Sequence, residues 1–401
     1  MKVIVQKFGG TSVSSRSMRE KAVMHIEAAL EEGYSVVVVV SAMGRIGEPY
    51  ATDTLLSLVR ADDTVSARDM DLLMSCGETI SAVIFGSMLR GRGHEVTVLT
   101  GAQAGMITSN EFGNARIAKI DPERIVKELK NNHIVVVTGF QGMTHDGETT
   151  TLGRGGSDTS ATALGVALDA EFIDIFTDVD GIMTADPNIV EGARRLSHLT
   201  YTEIANFASQ GAKVIHPRAV ELAMQKNIPI RVRSTESNDL GTLVTSGMHF
   251  LEARPANDKI LTGVAHSSRL TQIKVRAKTK RPGFQNLVFR SMAENDISVD
   301  FFNVTPEEVV YTVPNNHVSQ AVNTLLALDL EVETIANVAK VAAVGAGIHG
   351  VPGVMARIVE ALTDQDIEIL QSADSNTTIW CLVHEADMAN ALRAIHDKFN
   401  L

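Results

Sequence analysis

The stretch at residues 149–165 reads TTTLGRGGSDTSATALG, a glycine-rich loop followed by a helical pattern. Such loops often bind phosphate, because free backbone N–H groups and the positive end of a helix dipole converge there. Arg154 and Asp158 add opposite charges one helical turn apart, and the Lys-Ser/Thr pair of a P-loop is missing. The pattern by itself leaves open whether the loop binds a phosphate, another ligand or nothing.

A lysine stands before another glycine pair near the N-terminus. Lys7 ends the apolar run KVIVQKF, and Gly9 and Gly10 follow it. A lysine in this place can reach a phosphate on the glycine N–H groups and neutralise charge during phosphoryl transfer. A surface lysine beside an ordinary strand–helix turn explains the same residues, since two glycines are weak evidence. Ser41, in VSAMG, repeats the arrangement after the next apolar run.

A third loop, TDVDGIMTADP, contains Thr177, Asp178 and Asp186. An Asp-Gly turn followed by an Asp-Pro turn also accounts for it. Each of these loops follows a predicted strand of the same sheet. Because ligands collect at the carboxyl ends of parallel strands, this common position favours one shared site.

Glu78 lies in MSCGETISAV, among small and apolar residues. A buried carboxylate is costly unless it meets a cation, although Glu78 could equally cap a helix or occupy an exposed bend. Together with Arg154 and Asp158 it would complement a zwitterion, because the guanidinium binds a carboxylate and the two acids bind an ammonium. The histidines show no metal-ligand spacing, and His216 reads as a helix-start residue. We predict no metal site made of protein ligands.

The elements that must position these residues follow an α/β pattern up to about Ser234. Arg16–Glu32 and Arg68–Arg90 are amphipathic, and Gly33 and Gly91 close them. They alternate with apolar runs typical of central parallel strands. The pattern predicts a mostly parallel sheet between helix layers. The runs are KVIVQKF, SVVVVVSA, EVTVLT, HIVVVTGF, FIDIFTDV and IPIRVRS.

Composition narrows the possible functions of the 401-residue chain, whose length suggests two or three domains. The formal net charge is −12, and basic runs with interleaved aromatic residues are missing, which argues against a nucleic-acid partner. No apolar run approaches the roughly 20 residues needed to span a bilayer, and the N-terminus lacks a signal region. Cys76 and Cys381 are far apart in apolar surroundings, so a disulfide framework is not expected. We predict a cytoplasmic protein with no membrane partner.

The C-terminal part contains an internal repeat after a polar stretch at residues 237–258. RPGFQNLVFRSMAENDISVDFFNVTPEEVVYTV aligns without gaps on VPGVMARIVEALTDQDIEILQSADSNTTIWCLV. Each copy reads strand, turn, helix, strand, strand, helix, which is a small ferredoxin-like module. The second copy also contains G-x-G-x-x-G at Gly345, Gly347 and Gly350. A dinucleotide site is not favoured, because the sister copy lacks these glycines and the unit is too short.

These motifs together resemble the aspartate kinases of the amino-acid kinase family. KFGGTSV, VVVVSAMG, TTLGRGGSDTSA, TDVDGIMTADP and GAKVIHPRA occur in order, and the resemblance covers essentially the whole chain. The repeat looks like the paired ACT regulatory modules of these enzymes, nearest to the bacterial isozyme type that diaminopimelate regulates. The implied domains are a catalytic domain at 1–240, a linker at 241–262, and ACT modules at 263–338 and 339–401, each of βαββαβ type.

The resemblance implies phosphorylation of the side-chain carboxylate of L-aspartate by ATP and Mg²⁺, the first step toward diaminopimelate, lysine, threonine and methionine. It gives Lys7 and Asp158 catalytic roles. The implied aspartate contacts are Thr52, Glu78, Arg154, Ser157 and Asp158. The implied ATP contacts are Lys7, Phe8, Gly9, Gly10, Ser41, Thr177, Asp178, Met183 and Lys213. Because a carboxylate nucleophile has a pKa of about 4, a catalytic base is not needed.

The ACT resemblance also implies an amino-acid effector, either diaminopimelate, lysine or threonine, and a homodimer or larger oligomer. The implied effector contacts are Lys280, Gly283, Phe284, Gln285, Val299 and Asp300. Three positions depart from the family pattern: Met183 replaces a tyrosine, Asn188 an arginine, and Lys280 an aspartate that faces the effector's amino group. Alternatives are a glutamate or acetylglutamate kinase, which the ACT-like repeat and GRGGSD disfavour, or a catalytically silent amino-acid sensor.

Overall fold

The computed structural model describes residues 1–60, 64–211, 214–246, 260–278 and 283–401. They form two compact units. The first comprises Met1–Ile182, Arg195–Ser209 and the described part of Lys213–Ala256. The second comprises Met183–Arg194 and the described parts of Gln210–Ala212 and Asn257–Leu401.

Strands of the first unit run through its centre. They are β1 Val3–Phe8, β2 Ser35–Val40, β3 Val96–Leu99, β4 Met106–Thr108, β5 Ile117–Ile120, β6 Ile134–Thr138, β7 Gln141–Met143, β8 Thr149–Thr151, β9 Phe172–Thr177, β10 His198–Thr200, β11 Ile230–Ser234 and β12 Thr242–Thr245. The main sheet has the order β10-β12-β11-β9-β1-β2-β6-β3 and is parallel except between β11 and β12. The predicted apolar runs correspond to its strands β1, β2, β3, β6, β9 and β11, and the predicted parallel sheet is confirmed.

Helices cover both faces of this sheet. They are α1 Gly10–Val13, α2 Arg16–Glu31, α3 Thr52–Leu56, α4 Ala67–Gly91, α5 Glu123–Lys130, α6 Gly156–Ala167, α7 Tyr201–Ser209 and α8 Pro217–Lys226. Residues of α2 and α4 share a buried cluster with β1, β2 and β6. On the opposite face α6 packs so closely that a Cβ on Gly165 would lie 2.5 Å from Ile173. Both predicted amphipathic helices are confirmed, but the predicted closure at Gly91 is wrong: Gly91 is the last residue of α4, and the left-handed glycine beyond the helix is Gly93.

Helix α4 is long and apolar enough to cross a membrane by length and composition alone. It instead buries a continuous stripe that includes Ala82, Phe85 and Leu89 in the core of the first unit. The same helix buries the carboxyl groups of Asp71 and Glu78. These are properties of a core helix rather than of a lipid-facing one.

A smaller sheet of the first unit holds the strand that leads into the glycine-rich loop. Its order is β5-β4-β7-β8, and β7 and β8 pair as an antiparallel hairpin. Strand β8 ends at Thr151, and α6 starts at Gly156. The loop between them is therefore short and fixed at both ends, which places Arg154 beside the main sheet.

The second unit carries the repeat. Its elements are β13 Gly263–Ala277, α9 Phe284–Glu294, β14 Asp300–Val304, β15 Glu308–Pro314, α10 Val318–Ala327, β16 Leu330–Val344, α11 Val354–Thr363, β17 Gln371–Asp374, β18 Thr378–His384 and α12 Met388–Lys398. They build one antiparallel sheet of order β14-β15-β13-β16-β18-β17. The predicted βαββ order of both copies is confirmed, and the glycine triplet introduces no parallel βαβ unit.

The long strands β13 and β16 serve both modules. The C-terminal half of β13 pairs with β15, and the C-terminal half of β16 pairs with β18. Each strand therefore supplies the fourth strand of the other copy through its N-terminal half. The proposed boundary at residue 338 falls inside β16 and stays a prediction.

Candidate active site

A cavity of about 500 Å³ opens in the first unit where β1 and β2 end and α6 begins. It collects all the predicted aspartate contacts and, of the predicted ATP contacts, Lys7, Gly10 and Ser41. Residues lining it are Lys7, Gly10, Ser41, Ala42, Gly44, Arg45, Ile46, Ala51, Thr52, Asp53, Glu78, Phe140, Gly153, Arg154, Gly155, Gly156, Ser157 and Asp158. The parallel sheet explains the clustering, because the carboxyl ends of its strands share one edge.

Lys7 and Asp158 form an ion pair inside this cavity. The Lys7 Nζ lies 2.6 Å from Asp158 Oδ1, and each side chain is only 12% exposed. Lys7 extends from the penultimate position of β1, and Asp158 lies in the first turn of α6. The pair therefore holds the Lys7 ammonium beside the first turn of α6, which follows the glycine-rich loop.

Arg154 is exposed within the loop and forms no ion pair among the residues that the structure describes. The next residue, Gly155, has a left-handed φ of 69° and packs on His216, whose Cβ would lie 2.3 Å from an added methyl group. Burial, followed by the charge of Arg218, lowers the pKa of His216. The loop thus presents a guanidinium that is available for a carboxylate.

Glu78 is 2% exposed and reaches the same cavity from α4. Its Oε1 accepts a hydrogen bond from the Ala42 backbone N–H at 3.1 Å, and its Oε2 has no hydrogen-bond partner among the described residues. Burial raises the pKa of Glu78 to about 8. Of the two interpretations left open by the sequence, the buried carboxyl is therefore the correct one.

The glycine turn after β1 is tightly packed. A Cβ on Gly10 would lie 2.7 Å from the Gly44 carbonyl oxygen. The Ser41 N–H donates to the Phe8 carbonyl and fixes the end of β2 beside it. Phe8 is fully buried and stacks on Phe176 at 4.7 Å, so its ring belongs to the core and only its backbone borders the turn.

Thr52 and Ser157 contribute two hydroxyl groups to the lining of the same cavity. Thr52 is the first residue of the short helix α3, and Ser157 lies in the first turn of α6 beside Gly139. Both line the cavity with Glu78 and Arg154. The predicted substrate contacts are thus brought together by three separate helices and one loop.

Thr177 is the last residue of β9, which neighbours β1, and Asp178 follows it. The Thr177 hydroxyl donates to Asp178 Oδ1, and Arg45 forms an ion pair with the Asp178 carboxylate. Arg45 itself lines the cavity. Sequence reasoning missed Arg45, although it follows VSAMG directly and that position was a usable signal.

Met183, another predicted nucleotide contact, is not among the residues that line this cavity. Met183 belongs to the second unit, within Met183–Arg194. Asn188 lies in the same segment, and its backbone N–H and side-chain amide both donate to Asp186 Oδ1. Lys213 lies outside the described residues.

The predicted effector contacts lie in the first ACT-like copy. Gly283 is the left-handed N-cap of α9, Phe284 is buried in the module core with Val299 packed against it, and the Gln285 amide donates to the Thr305 carbonyl. Asp300 forms an ion pair with the nearly buried Lys340. Lys280 lies outside the described residues.

The second copy has a cavity of about 620 Å³ at the matching place, between the N-terminus of α11 and the β17–β18 turn. Polar groups there come from His349, Ser372, Asp374, Ser375 and Asn376. Within the described residues, no group of three or more His, Cys, Asp or Glu side chains could hold a metal ion.

Comparison with known protein families agrees with both units. Residues 2–234 match the amino acid kinase family, and residues 333–397 match an ACT domain. The chain is 58% identical over 402 residues to Aspartokinase 1 of Bacillus subtilis (strain 168), with both chains fully covered. It is 39% identical over 415 residues to the aspartokinase of Corynebacterium glutamicum, covering all of this chain and 97% of that relative.

Solved structures give the same result. The fold matches Escherichia coli aspartokinase III in complex with aspartate and ADP with a TM-score of 0.82 and 26% identity, and both chains are fully covered. The lysine and aspartate complex of that protein matches with a TM-score of 0.74 and 27% identity, over 99% of each chain. The similarity therefore extends over both units.

Proposed function

The chain belongs to the amino acid kinase family, and within it to the aspartokinases; on that premise we propose how its residues carry out ATP-dependent phosphorylation of the L-aspartate side-chain carboxylate. The product is 4-phospho-L-aspartate. One observation carries the proposal most directly: an exposed Arg154 and the acids Glu78 and Asp158 line the same cavity as Lys7. This arrangement has the charges that a zwitterionic acceptor and a transferred phosphoryl group require.

Arg154 binds the α-carboxylate of aspartate. A guanidinium and a carboxylate form two parallel charge-assisted hydrogen bonds, and Arg154 has no competing ion pair in the part of the chain described. Glu78 and Asp158 bind the α-ammonium group. The Oε2 of Glu78, which has no hydrogen-bond partner in the described part of the chain, gives that ammonium an acceptor. Thr52 and Ser157 add hydroxyl groups at the wall where the side-chain carboxylate must lie.

Lys7 stabilises the charge that develops on the transferred phosphoryl group. Its ion pair with Asp158 at 2.6 Å restrains the ammonium before substrates bind, so little reorganisation is needed in the transition state. The attacking carboxylate of aspartate is already ionised at neutral pH, because its ordinary pKa is about 4. Catalysis therefore depends on positioning and charge neutralisation, and no protein group has to remove a proton.

The nucleotide occupies the glycine side of the cavity. Gly10 and Ser41, which line the cavity, and the adjacent Gly9 border the phosphates, and Thr177 at the end of β9 and Asp178 contact the rest of the nucleotide. Mg²⁺ bound to ATP would supply charge neutralisation between the phosphates. The carboxylates of Asp158 and Asp178 are the oxygen donors available to it, since each forms an ion pair with a cationic residue that lines the cavity, Lys7 and Arg45 respectively.

The ACT modules bind an amino-acid end product, diaminopimelate, lysine or threonine. Support comes from the polar cavity of the second copy and from E. coli aspartokinase III, a relative whose structure was solved in complex with lysine. We also propose a cytoplasmic enzyme that assembles as a homodimer or larger oligomer. Its antiparallel ACT sheet ends in the exposed edge strand β14, which can pair with another strand.

Trapping of the acyl phosphate tests the activity. The protein is incubated with ATP, Mg²⁺ and hydroxylamine plus aspartate or, separately, glutamate. We expect aspartyl hydroxamate, and its absence would overturn the assignment. Glutamyl hydroxamate alone would indicate a glutamate kinase.

Substitution of Arg154 tests whether this residue binds aspartate rather than ATP. Arg154→Ala should raise the KM for aspartate at least tenfold, because a charge-assisted hydrogen bond is lost, and should change the KM for ATP little. The matched control is Arg116→Ala, an exposed arginine of the same unit outside the cavity. An equal rise in both KM values would refute this role.

A further inference from the structure

Asp71 is a fully buried carboxylate outside the cavity, and the roles above do not use it. It accepts hydrogen bonds from the Thr151 backbone N–H at 2.7 Å, the Thr151 hydroxyl at 2.7 Å and the Gly113 backbone N–H at 2.9 Å. A buried charge with this many donors is well satisfied and fixes their positions. Asp71 therefore anchors the last residue of β8, three residues before Arg154.

Arg218 holds the same segment from the other side. It lies in the first turn of α8 and donates through Nη1 to the carbonyl of Leu152 at 3.1 Å. It also donates through Nη2 to Asn114 Oδ1 at 3.3 Å. Asn114 Oδ1 in turn lies 2.9 Å from where a Cβ on Gly153 would be. The backbone that leads into Arg154 is thus held by two charged side chains through consecutive residues.

Asp71 also relates this loop to Glu78. The two acids lie seven residues apart on α4, about two helical turns, so they share one face of the helix. Glu78 lines the cavity, while Asp71 binds Thr151. The helix therefore links the carboxyl of Glu78 to the backbone that leads into Arg154.

We propose that Asp71 and Arg218 are positioning residues that set the spacing between the ammonium-binding and carboxylate-binding ends of the acceptor site. This inference rests on the proposed roles of Glu78 and Arg154. A fixed spacing orients the side-chain carboxylate of a four-carbon acceptor toward Lys7 and disfavours an acceptor one methylene longer. Loosening the loop should lower the discrimination between aspartate and glutamate.

The first test is Asp71→Asn, which keeps the shape and replaces one acceptor oxygen by an NH₂ group facing a backbone N–H. We expect the KM for aspartate to rise about tenfold, as for loss of a buried hydrogen bond to a charged group. The KM for ATP should stay within about twofold, and the ratio of kcat/KM for aspartate over glutamate should fall. Asp69→Asn, an exposed acid in the first turn of the same helix, is the matched control and should leave all three values unchanged.

Two milder substitutions at Thr151 test the same proposal if Asp71→Asn does not fold. Thr151→Val removes only the hydroxyl bond to Asp71 and should give a smaller shift in the same direction, and Thr151→Ser should restore wild-type values. Arg218→Gln should repeat the loss of discrimination from the α8 side. A change confined to thermal stability, or an equal rise in both KM values, would overturn the proposal.

The Arg154→Ala result distinguishes a failure of the positioning role from a failure of the proposed aspartate site. If Arg154→Ala leaves the KM for aspartate unchanged, the assignment of Arg154 is wrong. If Arg154→Ala raises that KM and the Asp71 and Thr151 variants do not, the site stands and the positioning role is refuted.

Discussion

Glu78→Gln should change how stability depends on pH. Burial raises the pKa of Glu78 from its ordinary value of 4.5 to about 8, because the carboxyl is removed from water and one oxygen has no hydrogen-bond partner among the described residues. In the unfolded chain the same group loses its proton near its ordinary pKa. Between these two values the folded chain holds a proton that the unfolded chain has released.

The sign and size follow from that difference. Where the folded state binds the extra proton, the free energy of unfolding falls as pH rises, by up to about 1.4 kcal/mol per pH unit. From about pH 5 to about pH 7.5 Glu78 therefore costs the ligand-free protein roughly 3 kcal/mol of stability. Above about pH 8 the contribution levels off, since both states are then ionised. Glutamine cannot ionise and removes this dependence.

Denaturant unfolding of both proteins at several pH values measures the effect. The free energy of unfolding of wild type relative to Glu78→Gln should fall by roughly 3 kcal/mol across this interval. Saturating aspartate should flatten the wild-type dependence, because its ammonium favours the ionised carboxyl. The exposed Glu95→Gln serves as control. Parallel curves for wild type and Glu78→Gln would refute the reasoning.

Three further outcomes follow from the structure. Lys7→Met should lower kcat by about 10²–10³ with folding preserved, as for loss of a transition-state donor, and an unchanged kcat in the hydroxamate assay would exclude its role. Gly147→Ala should cost roughly 1 kcal/mol of stability through left-handed backbone strain alone. Gly155→Ala should cost more, because its added Cβ would also collide with the His216 side chain. Equal losses in thermal unfolding would contradict this. Lys340→Met should free Asp300 and lower the amino-acid concentration needed for inhibition, so an unchanged inhibition curve would remove Asp300 from the effector site.

The parallel strands and their ligand-binding edge were predictable because their signal is local. Runs such as SVVVVVSA are apolar on both faces, and a strand needs that pattern to lie in the middle of a sheet covered by helices. The glycine turns beside Lys7 and Arg154 could also be predicted, since each follows or precedes a recognisable element. The ungapped repeat likewise indicated the two ACT-like copies.

Other features depend on residues far apart in the chain. Nothing near Asp71 in the sequence indicates that it binds Thr151, 80 residues later. The pairing of Arg45 with Asp178 spans 133 residues. The sequence also does not show that β13 and β16 exchange half-strands, because each long strand has the pattern of a strand that belongs to a single module.

The sequence by itself determined the fold class, the repeat and the residue types around the cavity, because hydrophobic period, turn chemistry and motif order are properties of short segments. Only the tertiary structure decided the protonation of Glu78, the ion pair of Lys7 with Asp158 and the anchoring of the Arg154 loop. These depend on burial and on distances across the sheet. Such quantities exist only once the chain has brought separate segments into contact.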